Sequence, residues 1–226
     1  MKKKILSVLT ALSTVLAFVG CSESKDSDST SVSNDEFDSS MLSSEKADDF
    51  SQWEGEWESF SEYCNDDSLD AVWSGIAEKF ELDTDDFKDV FRRLCFVPDD
   101  VIKFSISGNT LKGYDTENNE VFEHDYSYAA TFAQDSDGTV LKGDISYVFK
   151  TDDEDAGFYK YICIMPICNM ETSNGFMADH FHFSYGSSIE ELTNFSNVPT
   201  MLDSSITEEQ KQQSVITFFS GSSEDK

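Results

Sequence analysis

Two of the chain's three histidines stand one residue apart, at His180 and His182. Side chains of a strand alternate between faces, so these imidazoles share one face while Phe181 and Phe183 take the other. Their Cα atoms are about 7 Å apart at strand rise, close enough for both rings to meet one divalent ion. The plainer alternative is two histidines on a polar strand face. Enzyme chemistry has no comparable signal. There is no H-E-x-x-H frame, no Gly-rich phosphate loop and no nucleophile elbow, and the chain is read as a non-enzyme. The acidic runs Asp135-Ser136-Asp137-Gly138 and Asp152-Asp153-Glu154-Asp155 lack the full ligand pattern and closing Glu of a calcium loop.

The elements that would position the pair are legible from periodicity. Residues 53–60 read as a first strand. Leu69, Val72, Trp73, Ile76 and Phe80 fall at helical steps over residues 66–80, with Asp66, Asp67 and Ser68 as cap candidates. A second helix follows Thr84, with Phe87, Val90, Phe91 and Leu94 on one face, and Pro98 closes it. From Val101 the pattern turns to short strands: residues 102–106, a turn at Gly108-Asn109, then 111–114, 121–132, 140–150, 159–165 and 178–185. Residues 187–192 suggest a short helix and 207–219 a longer one, opened by the capping box Thr207-Glu208-Glu209-Gln210. Many short strands with regular turns point to a sandwich or a barrel.

Residues 1–20 carry Lys2, Lys3 and Lys4 followed by an apolar run too short to span a membrane. The run ends Phe18-Val19-Gly20-Cys21, which resembles a bacterial lipoprotein cleavage site, although leucine is usual where Phe18 stands. On that reading Cys21 becomes an acylated N-terminus, with palmitate-type chains as a membrane anchor. The alternative is an ordinary secretory signal with an incidental cysteine. Residues 21–49 are rich in Ser and Asp and too polar to offset the entropy of ordering, so they read as a disordered tether. Residues 50–226 are one domain's worth of chain. The formal net charge of −29 excludes the basic footprint that nucleic acid needs. It disfavours electrostatic docking on anionic lipid and concentrates cations.

Several stretches together resemble the ZinT (YodA-type) lipocalin-like zinc-binding family. His180-Phe181-His182-Phe183-Ser184-Tyr185-Gly186 is similar to its H-F-H-I-x-x-G segment, and Asn197-Val198-Pro199-Thr200-Met201 to its N-W-P-T-Y. Trp53-Glu54-Gly55-Glu56-Trp57-Glu58-Ser59 resembles its opening W-x-G-x-W-x-S, and Leu69-Asp70-Ala71-Val72 its L-D-x-V. The resemblance implies a mainly β, lipocalin/calycin-like barrel with two helices inserted after the first strand and a C-terminal helix. It also implies zinc, held in a shallow site for capture or hand-off to a metal ABC importer in the bacterial cell envelope. The other class of reading is a non-metal module, with Phe181 and Phe183 lining a cavity for an apolar ligand or meeting a protein partner.

The resemblance further implies a third histidine on the preceding strand. Here Ile167 stands at that place, with Cys168 beside it. Cys168 is the candidate thiolate ligand alongside His180 and His182, since zinc accepts both donor types. Cys163 lies further back, His124 precedes a Y-x-Y strand, and Asp179 points away from the pair in a regular strand. An exported chain also forms disulfides. With Cys21 acylated, Cys64, Cys95, Cys163 and Cys168 have three alternative pairings, and a bridge at Cys168 removes it as a ligand. Replacing Cys21 with Ser should leave the chain unprocessed by the lipoprotein pathway or released to the medium. Normal maturation and membrane retention of Cys21→Ser, read by fractionation and mass spectrometry, would overturn the anchor.

Overall fold

The computed structural model describes residues 49–134, 144–172, 175–193 and 199–220. The signal segment, Cys21, nearly all of the tether and the Asp135-Gly138 turn fall outside the described residues. Ten strands form the framework: β1 (Gly55–Ser59), β2 (Lys103–Ser107), β3 (Thr110–Tyr114), β4 (Glu120–Asp125), β5 (Ser127–Gln134), β6 (Asp144–Lys150), β7 (Tyr161–Ile164), β8 (Cys168–Thr172), β9 (Gly175–Gly186) and β10 (Thr200–Asp203). Among the described residues three α-helices accompany them: α1 (Asp70–Lys79), α2 (Thr84–Leu94) and α3 (Glu208–Ser220). No described helix is long and apolar enough to cross a membrane.

Every strand pairing is antiparallel, in the order β4-β3-β2-β1-β10-β9-β7-β6-β5, with β8 joined to β9 off that path. The strands at the two ends of that order, β4 and β5, are consecutive in the chain with only Tyr126 between them. The sheet must therefore curl until its ends approach each other. The result is a curled half-barrel of the lipocalin-like kind, as expected. Tyr126 is buried at this join and its hydroxyl donates to the Tyr159 carbonyl. Phe122 of β4 stacks on Tyr159, which precedes β7, at 4.1 Å between ring centroids.

Alternation supplies the barrel interior. Phe104 and Ile106 of β2 are buried while Lys103 and Ser105 are not, and Trp53, Trp57, Phe149, Phe181 and Phe183 join them. A second core lies where the helices meet the sheet. Phe60, Trp73, Phe87, Phe91, Phe218 and Phe219 pack there ring against ring. Asp66, an expected cap, accepts from the Ser68 N–H at the 3₁₀ turn that leads into α1, and Asp83, not foreseen, accepts from the Asp85 N–H at α2. At α3 the Thr207 hydroxyl accepts from the Gln210 N–H, and the Gln210 amide oxygen accepts from the Thr207 N–H. Each half of such a box satisfies a donor that the helix leaves unpaired.

The structure corrects three expectations. The single strand expected over residues 121–132 is two strands broken at Tyr126, because the chain turns there from one end of the sheet to the other. The expected helix at 187–192 is only a 3₁₀ turn, Glu190–Thr193. β8 and β10 were not foreseen, being short and lacking strict alternation. Gly113 of β3 lies opposite Phe122, and a Cβ there would fall 2.3 Å from the ring. Gly113→Ala should therefore push Phe122 off Tyr159 and destabilise the protein by about 1–3 kcal/mol, the usual cost of overpacking. Urea unfolding measures it, and an unchanged midpoint would mean that the glycine is not what seats the ring.

Candidate metal centre

β9 is flanked on both edges. Along one edge it pairs with β10, through Thr200↔His182, Met201↔Phe181 and Leu202↔His180. Its C-terminal half also pairs with β7 and its N-terminal half with β8. Phe181 and Phe183 point into the barrel, where their rings lie 4.8 Å from Trp57 and 5.0 Å from Phe104. His180 and His182 take the other face, shared by their opposite numbers Leu202 and Thr200. Their ring centroids are 5.3 Å apart, at 77°.

A bulge sets the orientation of His180. Cys168 lies opposite His180, yet Met170 lies opposite Met177. Ala178 and Asp179 therefore share Asn169 as their partner. A bulge of this kind takes backbone groups out of the ladder and increases the local twist. Both groups of Ala178 find partners elsewhere. Its N–H donates to the Ser214 hydroxyl of α3 at 3.0 Å, and its carbonyl lies 2.8 Å from His180 Nδ1. A carbonyl only accepts, so Nδ1 carries the proton and Nε2 of the neutral ring keeps the lone pair. His180 Nε2 is buried with no hydrogen-bond partner among the described residues. His182 is oriented through Nδ1, 2.8 Å from Thr200 Oγ1, a hydroxyl that can donate or accept.

The expected shallow site is in fact buried, with His180 2 % and His182 5 % exposed. Burial pushes the His180 pKa below the ordinary histidine value, against the smaller upward pull of the Ala178 carbonyl and the Asp179 charge. The ring is thus held neutral, the form that binds a metal.

Cys168 lies directly opposite His180 and is half-buried, so the register puts it on the face of the pair. It is disulfide-bonded. In that state it has no thiolate to donate. Cys64, Cys95 and Cys163 carry free, buried thiols, so none of the three pairings weighed among these four cysteines is formed. Ile167 precedes β8 and offers no donor. His124 is engaged elsewhere: Nδ1 lies 2.8 Å from Asp153 Oδ2, and the ring stacks on Phe122. Asp179 is exposed and accepts from the Asn169 amide at 2.8 Å. The Cys163 thiol, pushed up to about 12 by burial, sits near Ser146 and Ser184. Among the described residues no cluster of three or more His, Cys, Asp or Glu is arranged to hold a metal. Ser214 and the Ala178 carbonyl escaped the sequence reading because the bulge that enlists them leaves no mark in residue types, and the role of Thr200 because β10 was not foreseen.

The chain matches the family described as ZinT (YodA) periplasmic lipocalin-like zinc-recruitment over residues 28–218. It belongs to the ZinT family. A search of curated proteins found no match. Among solved structures, the Zn(II)-bound ZinT-like domain of Streptococcus pneumoniae AdcA is similar at 20 % identity and a TM-score of 0.53, over 81 % of this chain and 94 % of that domain. The Zn(II)-bound AdcA of the same organism matches at 22 % identity and a TM-score of 0.54, over 86 % of this chain but only 40 % of AdcA. At these identities the likeness establishes the ZinT fold and nothing finer.

The lowered pKa of His180 has a consequence for stability. The unfolded chain takes up this proton near pH 6.5, whereas the folded ZinT domain resists it until lower pH. The stabilising contribution is therefore full above about pH 6.5 and is lost as pH falls toward the folded pKa, at about 1.4 kcal/mol per unit of difference. His180→Asn, whose amide can still donate to Ala178, should lose less stability than the wild type between pH 7.5 and 5.5. Parallel urea midpoints for the two proteins over that range would rule this out.

Proposed function

We propose that this ZinT-family protein captures zinc, or a similar divalent ion, through His180 and His182 and passes it to a metal ABC importer. One observation carries the reading. Two buried imidazoles share a face, the Nδ1 of each is tied to a protein group, and the Nε2 of His180 is a buried lone pair without a partner among the described residues. A hydrogen bond at Nδ1 that orients the ring, and at His180 fixes the lone pair on Nε2, is the usual outer support of a metal-ligating histidine. Nitrogen donors favour zinc and its transition-metal neighbours over calcium and magnesium, which prefer oxygen. Cys168 is the third donor in this reading, as its thiolate. Two or three donors leave room for water or a carrier's ligand, which suits loading and release better than permanent structural binding.

The zinc carried by AdcA and its ZinT-like domain supports the cargo, and the family description supports a place outside the cytoplasm. We place the protein in the bacterial cell envelope as a lipoprotein, held at the membrane through Cys21 with residues 21–49 as the tether. It is a carrier rather than an enzyme. The apolar-ligand reading is less well supported, because Phe181 and Phe183 are spent on Trp57 and Phe104 inside the barrel.

Calorimetric titration with zinc tests the proposal. The wild type should bind one ion. The His180→Ala/His182→Ala variant should lose that binding while keeping its strand circular dichroism signal. Undiminished affinity in a folded double variant would move the metal site elsewhere.

A further inference from the structure

We propose that the Tyr63 hydroxyl is part of the metal site, where it donates a hydrogen bond to the water that completes the shell of a zinc ion held by His180 and His182. The inference rests on the zinc reading above and adds a further group to it. Its starting point is two orphaned atoms. Tyr63 is 1 % exposed, and its Oη is buried with no hydrogen-bond partner among the described residues. His180 Nε2 is in the same condition. A buried hydroxyl left unpaired is costly, and a phenylalanine would pack the same ring without that cost. Elsewhere the fold does satisfy its buried ring donors. Tyr126 and Tyr159 donate to the carbonyls of Tyr159 and Pro98. Trp53, Trp57 and Trp73 donate to the carbonyls of Met165, Trp53 and Tyr63.

The sheet places both atoms in one layer. Glu58, Leu202 and His180 form a row across β1, β10 and β9, with Leu202 directly opposite each of the other two. Residues so opposed share a face. It is the face turned toward α3, whose Val215 belongs to the same buried cluster as Leu202 and Ala178. Tyr63 is a member of that cluster. Its ring is tied to the row through Lys211 of α3, whose ammonium lies 5.4 Å from the ring centre and 4.0 Å from Glu58 Oε2. Phe60 meets the same ring edge-on at 5.4 Å, and the Trp73 indole N–H pins the Tyr63 carbonyl at 2.8 Å. The hydroxyl is thus held in place by groups that need no ion.

Chemistry assigns the hydroxyl its role. A phenol is protonated at neutral pH. Burial, and after it the negative charges of Glu58 and Glu208, push the Tyr63 pKa further above its ordinary value. The group therefore stays an O–H donor and does not serve as a phenolate ligand. Two or three protein donors leave one position of a tetrahedral shell to water. Such a water gives one lone pair to the ion and keeps another, to which the Tyr63 O–H donates. His180 gives its Nε2 lone pair to the ion, so both orphaned atoms are satisfied together. No covalent bond is made or broken. The water is the group that a carrier's ligand displaces, so Tyr63 would hold the position through which zinc is handed on.

The test compares the full-length wild type with Tyr63→Phe, which removes the hydroxyl and keeps the ring. Each is titrated calorimetrically with Zn²⁺ alone, and each is unfolded in urea without metal. Losing an outer hydrogen-bond partner costs a metal site roughly 10–100-fold in affinity. Tyr63→Phe should bind zinc more weakly by that factor. Its metal-free urea midpoint should stay equal or rise, because an unpaired hydroxyl no longer has to be buried. Equal zinc affinity in Tyr63→Phe, while the His180→Ala/His182→Ala variant loses binding, overturns the role of Tyr63 and leaves the zinc reading standing. A fall in the metal-free midpoint makes the hydroxyl a structural one, bonded within the fold, and overturns that role as well. A visible tyrosinate-to-metal band on titrating the wild type with Cu²⁺, absent from Tyr63→Phe, would make Tyr63 a direct ligand and likewise overturn it. If the wild type binds no zinc, both readings fall together.

Discussion

The backbone of β9 has to be satisfied along both edges, and the rest of the molecule is arranged around that demand. β10 covers one edge only as far as Leu202, opposite His180. Beyond it the N–H groups of Phe176 and Ala178 turn to the hydroxyls of Thr217 and Ser214 on α3. A helix thus completes what a strand leaves open. Buried donors cost about 1–3 kcal/mol each when unmade, so α3 is bound to the sheet by more than its phenylalanines. Its close approach explains Gly175, where a Cβ would lie 2.5 Å from Thr217 Oγ1. The bulge follows from the same geometry and hands the Ala178 carbonyl to His180. The tautomer of the candidate ligand is therefore decided by how a strand edge is closed.

Much of this was legible in the residues. Period-two alternation showed β2 and the core of β9, and helical steps showed α1 and α2. The capping box at Thr207 was read residue for residue, because it depends on local chemistry alone. What stayed hidden depends on distant partners. The break at Tyr126 is invisible in a continuous apolar run, since it reflects where the ends of the sheet meet. β10 is too short for periodicity, and its existence depends on β1 and β9 lying on either side. At the site, the spacing gave the shared face of His180 and His182. It did not give their burial, because the cover comes from other elements. It gave Cys168 as a neighbour of the missing third histidine, while the bonded state of that sulfur is a matter of redox chemistry and not of order along the chain.

Two levels of selection for cations follow. The net charge of −29 gathers cations of any kind around the protein. That attraction is screened within about 8–10 Å at physiological salt. In the proposed site discrimination would fall to the imidazoles, whose burial excludes water and holds His180 neutral. The same burial implies that an ion reaches Nε2 only when neighbouring segments give way, so exchange is governed by local opening as well as by affinity.

The pairing of β1 with β10 brings Glu58 against Leu202. The strand laid down first in the chain is hydrogen-bonded to the one laid down last. Contacts of such long sequence separation slow folding, because loop entropy must be spent before they form. A chain emerging N-terminus first, from a ribosome or through a membrane, therefore cannot close its sheet until residue 203 is out. Until then one edge of β1 has no strand beside it. The topology works as a timer that delays closure until nearly the whole polypeptide has arrived.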